Sequence, residues 1–224
     1  MNLINKPAFL QQSTRTLEGI YDTLSQLPEV ALSSLPAERT ALVIVDLING
    51  FARGGALQSP RVEALIPGIV RLGQACGELG IPKVAFADNH TEGSPEFESY
   101  PVHCLTGTVE AELVEEIRAL DGVELLAKNS TNGFLEEAFQ AWLGKNRQID
   151  TFMVVGDCTD ICIQQFTITL KTWFNRQDQK SRVIVPVDLV DTYDFGLHNA
   201  ELLNAMALFT MMGSGVEVVK EIRF

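Results

Sequence analysis

Basic residues are scarce in this sequence. Its 224 residues include 17 Lys and Arg against 29 Asp and Glu, which gives a formal net charge of −12 at pH 7. A protein that binds nucleic acid or an anionic membrane surface needs clustered positive charge to neutralise phosphates. We therefore predict no nucleic-acid and no membrane partner, and a ligand that is small and not polyanionic.

Long apolar runs and a targeting signal are also missing. No apolar stretch approaches the ~20 residues that a membrane-spanning helix requires. The beginning of the sequence lacks the basic patch followed by an apolar run that a secretory signal needs. We therefore expect a soluble protein in the cytoplasm.

Cysteine and histidine are rare. Four cysteines, at positions 76, 104, 158 and 162, are too few for a disulfide framework in a chain of this length, so reduced thiols are expected. Only three histidines are present, so any clustering of histidine is informative. Each of these residues has to be judged by its neighbours.

Short apolar segments alternate with helical patterns. Strands are predicted at 41–46, 82–88, 123–128, 151–157 and 182–188, with a sixth candidate at 215–219. These segments are β-branched and continuously apolar, which is typical of parallel strands covered on both faces. Helical patterns lie between them at 61–80, 108–119, 134–145, 161–175 and 197–212. The alternation predicts an α/β, three-layer Rossmann-like fold, with a mostly parallel sheet of about six strands and helices on both faces.

A separate segment precedes the first strand. TRTLEGIYDTLSQL predicts an amphipathic helix, and the connector SSLPAE follows it at 33–38. We predict that residues 1–38 form a helical extension, packed on the core or used in subunit contacts. The chain length favours one domain, which we place at 39–224.

Reactive side chains lie where four consecutive predicted strands end. The first strand ends at Asp46, the second at Asp88 and the third at Lys128, and the fourth runs into GDCTDIC, which ends at Cys162. Ligands of open parallel sheets bind beyond the carboxyl ends of the strands. These residues therefore predict one site, although charged residues also mark where buried strands simply reach solvent.

Cys162 is the candidate nucleophile of this site. It begins a helical stretch, so its sulfur is expected near the positive end of a helix, which lowers a thiol pKa, and Lys128 adds to that effect. Asp46 can then carry a proton from the thiol to a departing amine, as amide cleavage requires. A buried core cysteine is the alternative interpretation.

The segment 88–104 contains two of the three histidines. Its candidate ligands are Asp88, His90, Glu92, Glu96, Glu98 and His103. Mixed oxygen and nitrogen donors suit zinc, iron or manganese and differ from an all-thiolate structural zinc site. The alternative is a solvated acidic loop with two incidental histidines.

Three motifs, in this order, resemble the isochorismatase-like cysteine hydrolases and, within them, the nicotinamidase branch. VIVDLINGF resembles the opening strand, LAKNSTNGF the lysine strand and VGDCTDICI the nucleophile turn, so the resemblance covers residues 41 to about 219. Two departures are mild: the opening reads Ile48-Asn49-Gly50-Phe51 instead of Gln-Asn-Asp-Phe, and Ile163 replaces the Val after the nucleophile.

The resemblance implies a role for each motif residue. Cys162 attacks a carboxamide carbon to form a thioester, Asp46 accepts its proton and later returns one to ammonia, and Lys128 stabilises the anionic pair. A cis peptide is implied between Asp157 and Cys158. It would aim the backbone N–H groups of Cys158 and Cys162 at the developing oxyanion.

The choice of the nicotinamidase branch rests on the metal segment. Its pattern of Asp-x-His, a third ligand, an aromatic-Pro-x-His and a Gly-Thr pair is matched by Asp88, His90, Glu96, Tyr100 to His103, and Gly107-Thr108. The resemblance implies one divalent metal ion, zinc or alternatively iron or manganese, with Glu92 or Glu98 as alternatives to Glu96. Phe51 and Tyr100 would sandwich a pyridine ring.

The expected reaction is metal-assisted hydrolysis of nicotinamide to nicotinate and ammonia. One alternative is another hydrolase of the superfamily, acting on a ureido or carbamoyl substrate, and another is a binding or scaffold protein that no longer catalyses. Relatives often form oligomers through helices that flank the sheet, so a homo-oligomer is expected.

The remaining cysteines, His198 and Asp160 have less specific assignments. The spacing of Cys158 and Cys162 leaves a regulatory dithiol open. His198 is expected to be structural or to lie at a subunit contact, Asp160 to cap its helix or tie the turn, and Cys104 receives no role.

Overall fold

The computed structural model of the protein describes residues 5–224. These residues contain eight strands: β1 (Val30–Ala31), β2 (Thr40–Val45), β3 (Lys83–Asp88), β4 (Val123–Lys128), β5 (Thr151–Gly156), β6 (Arg182–Pro186), β7 (Glu217–Val219) and β8 (Ile222–Arg223). They also contain seven α-helices: α1 (Lys6–Ser25), α2 (Asn49–Ala52), α3 (Pro60–Glu78), α4 (Glu115–Arg118), α5 (Glu137–Lys145), α6 (Gln164–Asn175) and α7 (Ala200–Gly213). All six predicted strands are therefore present.

Six strands form one parallel sheet in the order β4-β3-β2-β5-β6-β7. The chain begins this sheet at β2, builds outward to β4, and then returns to the other side of β2 with β5. Such a reversal leaves a crevice beyond the carboxyl ends of β2 and β5, where ligands of this architecture bind. The residues that follow these two strands therefore face the site.

The apolar side chains of the sheet separate two helical layers. On β2, Leu42 and Ile44 belong to a buried cluster that includes the apolar face of α3, whereas Val43 and Val45 belong to a second cluster with residues of α5, α6 and α7. Successive side chains of a strand point to opposite faces, so a continuously apolar strand needs cover on both. The predicted three-layer α/β fold is confirmed.

The edge strand β4 departs from the predicted burial. Glu124, Leu125 and Ala127 are exposed, whereas Leu126 and Lys128 are buried. The prediction that the strands are covered on both faces is wrong here, because β4 pairs with β3 alone at the edge of the sheet and one of its faces is open to solvent.

The prediction of a helix at 108–119 is also wrong. A 3₁₀ turn (Val109–Ala111) and the single turn of α4 occupy this range, with extended residues between them. Hydrogen bonds to the segment after β2 hold these residues in an extended conformation: Asn49 N–H donates to Glu112 O at 2.9 Å, and Val114 N–H donates to Leu47 O at 3.0 Å. Tertiary hydrogen bonds thus override the local helical pattern.

The N-terminal helix is longer than predicted. It begins at Lys6, where the Asn5 side chain accepts a hydrogen bond from the N–H of Ala8, and its buried residue is Ile20. Helix α1 packs against α7, and β1 pairs in parallel with β8, so the segment before β2 contacts the last elements of the chain. Residues 1–4 of the predicted extension lie outside the described part, and the division at residue 38 stays a prediction.

The helices of residues 5–224 include none that could cross a membrane. Among residues 5–224, none combines the length and the apolar character that crossing a bilayer requires.

Candidate active site

The structure brings Asp46, Lys128 and Cys162 together beyond the ends of β2, β4 and β5. The Nζ atom of Lys128 lies 2.8 Å from Oδ2 of Asp46 and 3.7 Å from Sγ of Cys162. It also donates to the carboxylate of Asp88. One buried ammonium group therefore contacts the thiol and two carboxylates.

The position and the pKa of Asp46 suit proton transfer. Its side chain is fully buried, and Oδ1 accepts the backbone N–H of Asp88 at 3.0 Å. Burial, together with the nearby charge of Asp88, raises the pKa of Asp46 to about 7, although Lys128 opposes the increase. A carboxylate with a pKa near neutrality can both accept and return a proton.

The expected lowering of the Cys162 pKa is wrong. Burial raises the pKa of the Cys162 thiol well above its ordinary value, and Asp46 and Asp88 add to the increase, while Lys128 opposes it. Loss of hydration disfavours the thiolate more than the single ammonium favours it. The resting nucleophile is therefore the thiol, which needs a base to act.

The nucleophile turn connects β5 to α6. The bond between Asp157 and Cys158 is cis, as predicted, and Cys162 lies in one π-helical turn, Thr159–Ile163, that precedes α6. At the end of β5, an added Cβ on Gly156 would lie 2.0 Å from the carbonyl oxygen of Val45, so only glycine lets the turn pass this close to β2.

Backbone N–H groups of the same turn limit where an oxyanion can bind. Ile161 and Ile163 both donate to the carbonyl of Cys158 at 3.1 Å, and Thr159 donates to Asp191 O at 3.0 Å. Within residues 5–224, the N–H of Cys158 has no such backbone acceptor across the loops. It remains available to a ligand, as the predicted oxyanion site requires.

Three of the predicted metal ligands form a buried cluster. One donor atom from each of Asp88, His90 and His103 lies within 4.8 Å of the other two. The Nε2 atoms of His90 and His103 lie 3.6 and 3.8 Å from the Asp88 carboxylate, too far for hydrogen bonds. Nε2 of His90 is buried without a hydrogen-bond partner among the described residues. An unpartnered buried imidazole nitrogen beside a carboxylate fits a metal site.

Outer contacts orient both imidazole rings toward this cluster. Nδ1 of His90 lies 3.1 Å from Oδ1 of Asn129, and Nδ1 of His103 lies 2.8 Å from the carbonyl oxygen of Pro101. These oxygens accept an N–H from Nδ1 and leave Nε2 with its lone pair, which is how metal-binding histidines are commonly held. Sequence reasoning missed Asn129, although it directly follows Lys128.

Glu96 stands apart from the three clustered ligands. It is half-buried and lines the same cavity as Asp88 and His103, but it is not one of the residues whose donor atoms meet. The alternatives Glu92 and Glu98 are exposed and do not line this cavity. Glu96 therefore remains the best-placed candidate for a further ligand.

A small cavity joins the thiol to the metal cluster. Its lining residues are Phe51, Leu57, Asp88, Glu96, Tyr100, His103, Thr131, Cys158, Ile161, Cys162 and Tyr193. Both predicted aromatic residues, Phe51 and Tyr100, therefore face it, with ring centroids 5.7 and 6.2 Å from that of His103. The larger surface clefts beside Asp150 and beside Phe195 do not contain Cys162.

Asp160 and the cysteines outside the catalytic role have structural contacts. Asp160 ties the turn by a 2.9 Å contact with His198, and all four cysteines are free thiols. Cys104, which received no role, fills the space above Gly50, where an added Cβ would lie 2.6 Å from its sulfur. The Gly50 departure from the family opening is thus matched by the buried Cys104 side chain.

Comparison with known proteins identifies the family of this chain. The sequence profile of the isochorismatase domain matches residues 40–216. Nicotinamidase 1 of Arabidopsis thaliana is 31% identical, over 92% of this chain and 98% of its own length.

Solved structures share the fold. The N-carbamoylsarcosine amidase of Thermoplasma acidophilum is 26% identical, with a TM-score of 0.66 over 81% of this chain and 96% of its own. The pyrazinamidase of Pyrococcus horikoshii, solved in complex with zinc, is 23% identical, with a TM-score of 0.68 over 83% and 99% of the two chains.

Proposed function

This chain belongs to the isochorismatase family, and on that premise we propose that it hydrolyses nicotinamide to nicotinate and ammonia through a thioester on Cys162. One observation carries the proposal. The cavity that contains the Cys162 sulfur is also lined by Asp88 and His103 of the metal cluster. A small amide can therefore meet a nucleophile and a metal site at once.

The first half of the reaction forms the thioester. Asp46 takes the thiol proton as the sulfur of Cys162 bonds to the carboxamide carbon, and the backbone N–H groups of Cys158 and Cys162 hold the oxyanion. The carbon–nitrogen bond then breaks, and Asp46 returns the proton to the nitrogen, which leaves as ammonia. Lys128 remains a cation beside the groups whose charge changes.

The second half releases the acid. A water molecule gives a proton to Asp46 as its oxygen bonds to the thioester carbon, and the carbon–sulfur bond breaks. The product leaves as nicotinic acid, whose carboxyl group then loses its proton to water to give nicotinate, and the sulfur of Cys162 takes back the proton held by Asp46. Asp46 serves both halves because its pKa of about 7 allows either protonation state near neutral pH.

The residues of the cluster suit a divalent metal ion. We propose zinc, with iron or manganese as alternatives, held by Asp88, His90 and His103 with Glu96 as a further ligand. When bound, the ion supplies a Lewis acid for the pyridine nitrogen, directly or through water. Phe51 and Tyr100 are proposed to sandwich the ring, since both line the cavity.

The test is ammonia release from nicotinamide by purified protein supplied with each metal in turn. Cys162→Ala is expected to lose at least about 10⁴-fold in kcat, because the covalent route disappears. Cys76→Ala removes an equally buried thiol from α3 and is expected to keep turnover. Full activity of Cys162→Ala would contradict the proposal.

Removal of the metal separates this function from hydrolysis of a ureido or carbamoyl substrate with a structural metal segment. Only the proposed nicotinamidase reaction is expected to stop after chelation and to return when metal is restored. A wild-type protein that releases no ammonia from nicotinamide with any of the three metals would exclude the assignment.

A further inference from the structure

The loop between β6 and α7 returns to the nucleophile turn and closes one side of the cavity. Tyr193 of this loop lines the cavity. On one side of Tyr193, the carbonyl of Asp191 accepts the N–H of Thr159 at 3.0 Å. On the other side, His198 contacts the carboxylate of Asp160. Residues 191–198 are thus hydrogen-bonded to the nucleophile turn on both sides of Tyr193.

His198 is the side chain that holds Tyr193. Its Nδ1 lies 2.8 Å from the carbonyl oxygen of Tyr193, and its Nε2 lies 2.9 Å from Oδ2 of Asp160. Its ring stacks on that of Tyr193, with centroids 3.9 Å apart and an interplanar angle of 6°. His198 therefore contacts both the backbone and the ring of Tyr193.

A tight turn brings His198 back to Tyr193. Phe195 and His198 exchange two backbone hydrogen bonds, of 2.9 and 2.8 Å. Gly196 has a φ of 56°, the left-handed conformation that this reversal uses. The side chains of Phe195 and Leu197 at its tip are largely exposed, whereas His198 is half-buried and contacts Asp160.

Tyr193 stands where the buried cavity meets the surface. Leu57, Tyr100 and Tyr193 line both this cavity and a neighbouring surface cleft. The three side chains therefore lie between this surface cleft and the cavity that contains Cys162. Movement of the Tyr193 ring would therefore widen the opening and remove one wall from a bound substrate.

We propose that His198 is a positioning residue that, anchored on Asp160, holds the Tyr193 ring as a wall of the substrate cavity and thereby sets substrate affinity. Its kinetic test rests on the proposed function. His198→Ala is expected to raise KM for nicotinamide about tenfold while kcat changes less than about threefold, because a stacked wall contributes binding rather than chemistry. Tyr193→Ala should reproduce this change, and the double variant should add little.

Two further variants separate the stacking of His198 from its polar contacts and provide a control. His198→Phe keeps an aromatic ring for stacking but loses both polar contacts, so its KM should fall between those of the wild type and His198→Ala. Leu197→Ala alters a fully exposed neighbour on the same turn and is expected to keep wild-type kinetics. Thermal unfolding identifies any variant that fails to fold. If His198→Ala does not fold, the KM of His198→Phe tests the proposal instead.

A second measurement does not depend on nicotinamide turnover. Alkylation of Cys162 by iodoacetamide, located by peptide mass spectrometry, should be about threefold or more faster in His198→Ala and Tyr193→Ala than in the wild type and Leu197→Ala. Faster alkylation in a protein that does not cleave nicotinamide would uphold the role of His198 and reject the substrate. Unchanged KM and unchanged alkylation in folded His198→Ala, or a loss confined to kcat, would overturn the proposal.

Discussion

Lys128 shows how a single residue determines the electrostatics of the site. Burial lowers its pKa, but Asp46 and Asp88 raise the pKa of Lys128 well above its ordinary value, so the ammonium keeps its charge. Burial raises the pKa of Asp88, yet Lys128 holds that pKa below its usual range. Each charge is stable only in the presence of its partner.

The substitution Lys128→Met should therefore affect both folding and catalysis. It keeps an unbranched apolar side chain but leaves two buried carboxylates without their cation, which is expected to cost about 3–5 kcal/mol of unfolding free energy. Turnover should fall at least about 100-fold, because the charge that stabilises the reacting groups is gone. Urea unfolding and ammonia release measure the two effects.

Lys145→Met provides the control for this substitution. Lys145 is exposed at the end of α5, so its loss should change the unfolding free energy by about 1 kcal/mol or less. A Lys128→Met protein with wild-type turnover would show that the ammonium has no part in catalysis.

Asn129 is the residue whose role only the structure reveals. Because its Oδ1 fixes the tautomer of His90, Asn129→Ala should weaken metal binding about 10- to 100-fold. Competition with a chromogenic chelator measures the affinity, and Asn175→Ala, an exposed asparagine of α6, is the matched control. An unchanged affinity would mean that His90 does not bind the metal through Nε2.

At the scale of elements, β4 combines a solvent face with a core face. Leu125 is 54% exposed, whereas its neighbour Leu126 is 5% exposed and belongs to the cluster that includes α5 and α6. The two residues have the same side chain on the same strand. Their environments differ only because successive residues of a strand point to opposite sides.

This pair gives a direct measurement of the core. Leu126→Ala should lower the unfolding free energy by about 2–4 kcal/mol, since it removes buried methyl groups and leaves a cavity. Leu125→Ala should change it by about 0.5 kcal/mol or less. Equal values in chemical denaturation would contradict the described register of β4 against β3.

The nucleophile turn shows how much of an element its sequence can predict. GDCTDIC correctly indicates a strand end, a turn and a helix start. The cis bond before Cys158 was expected from the family resemblance alone, and the pKa of Cys162 depends on Asp46 and Asp88, which come from other strands. Local sequence does not contain the distances that determine such long-range electrostatic effects.

At the scale of the whole molecule, α1 is attached to the core through few buried side chains. Its buried residue is Ile20, and Leu24 and Leu27 are partly buried against the α7 side of the core. No residue of α1 or its connector lines the catalytic cavity. The helix can therefore contribute to stability without taking part in the reaction.

A truncated protein that begins at Pro28 should remain active. It keeps the Pro28 carbonyl that accepts the N–H of Lys220 and the pairing of β1 with β8. We expect kcat/KM within about threefold of the full chain, since no wall of the cavity is lost. The unfolding free energy should fall by about 3 kcal/mol, because apolar surface of α7 is uncovered.

Ile20→Ala in the full chain isolates the packing part of this effect. A folded but inactive truncated protein would show instead that the extension contributes to catalysis. Size measurements on both proteins also test the expected homo-oligomer and the use of the extension in subunit contacts, which stay predictions together with the cytoplasmic location.

The sequence by itself determined the order of strands and helices, the parallel sheet and the sites of Asp46, Asp88, Lys128 and Cys162. It could do so because apolar periodicity and the ends of buried strands are local features. The structure alone decided the exposed face of β4, the missing helix near residue 110, the raised pKa of Cys162 and the role of Asn129. Each of these follows from contacts between distant segments, and only folding brings those segments together.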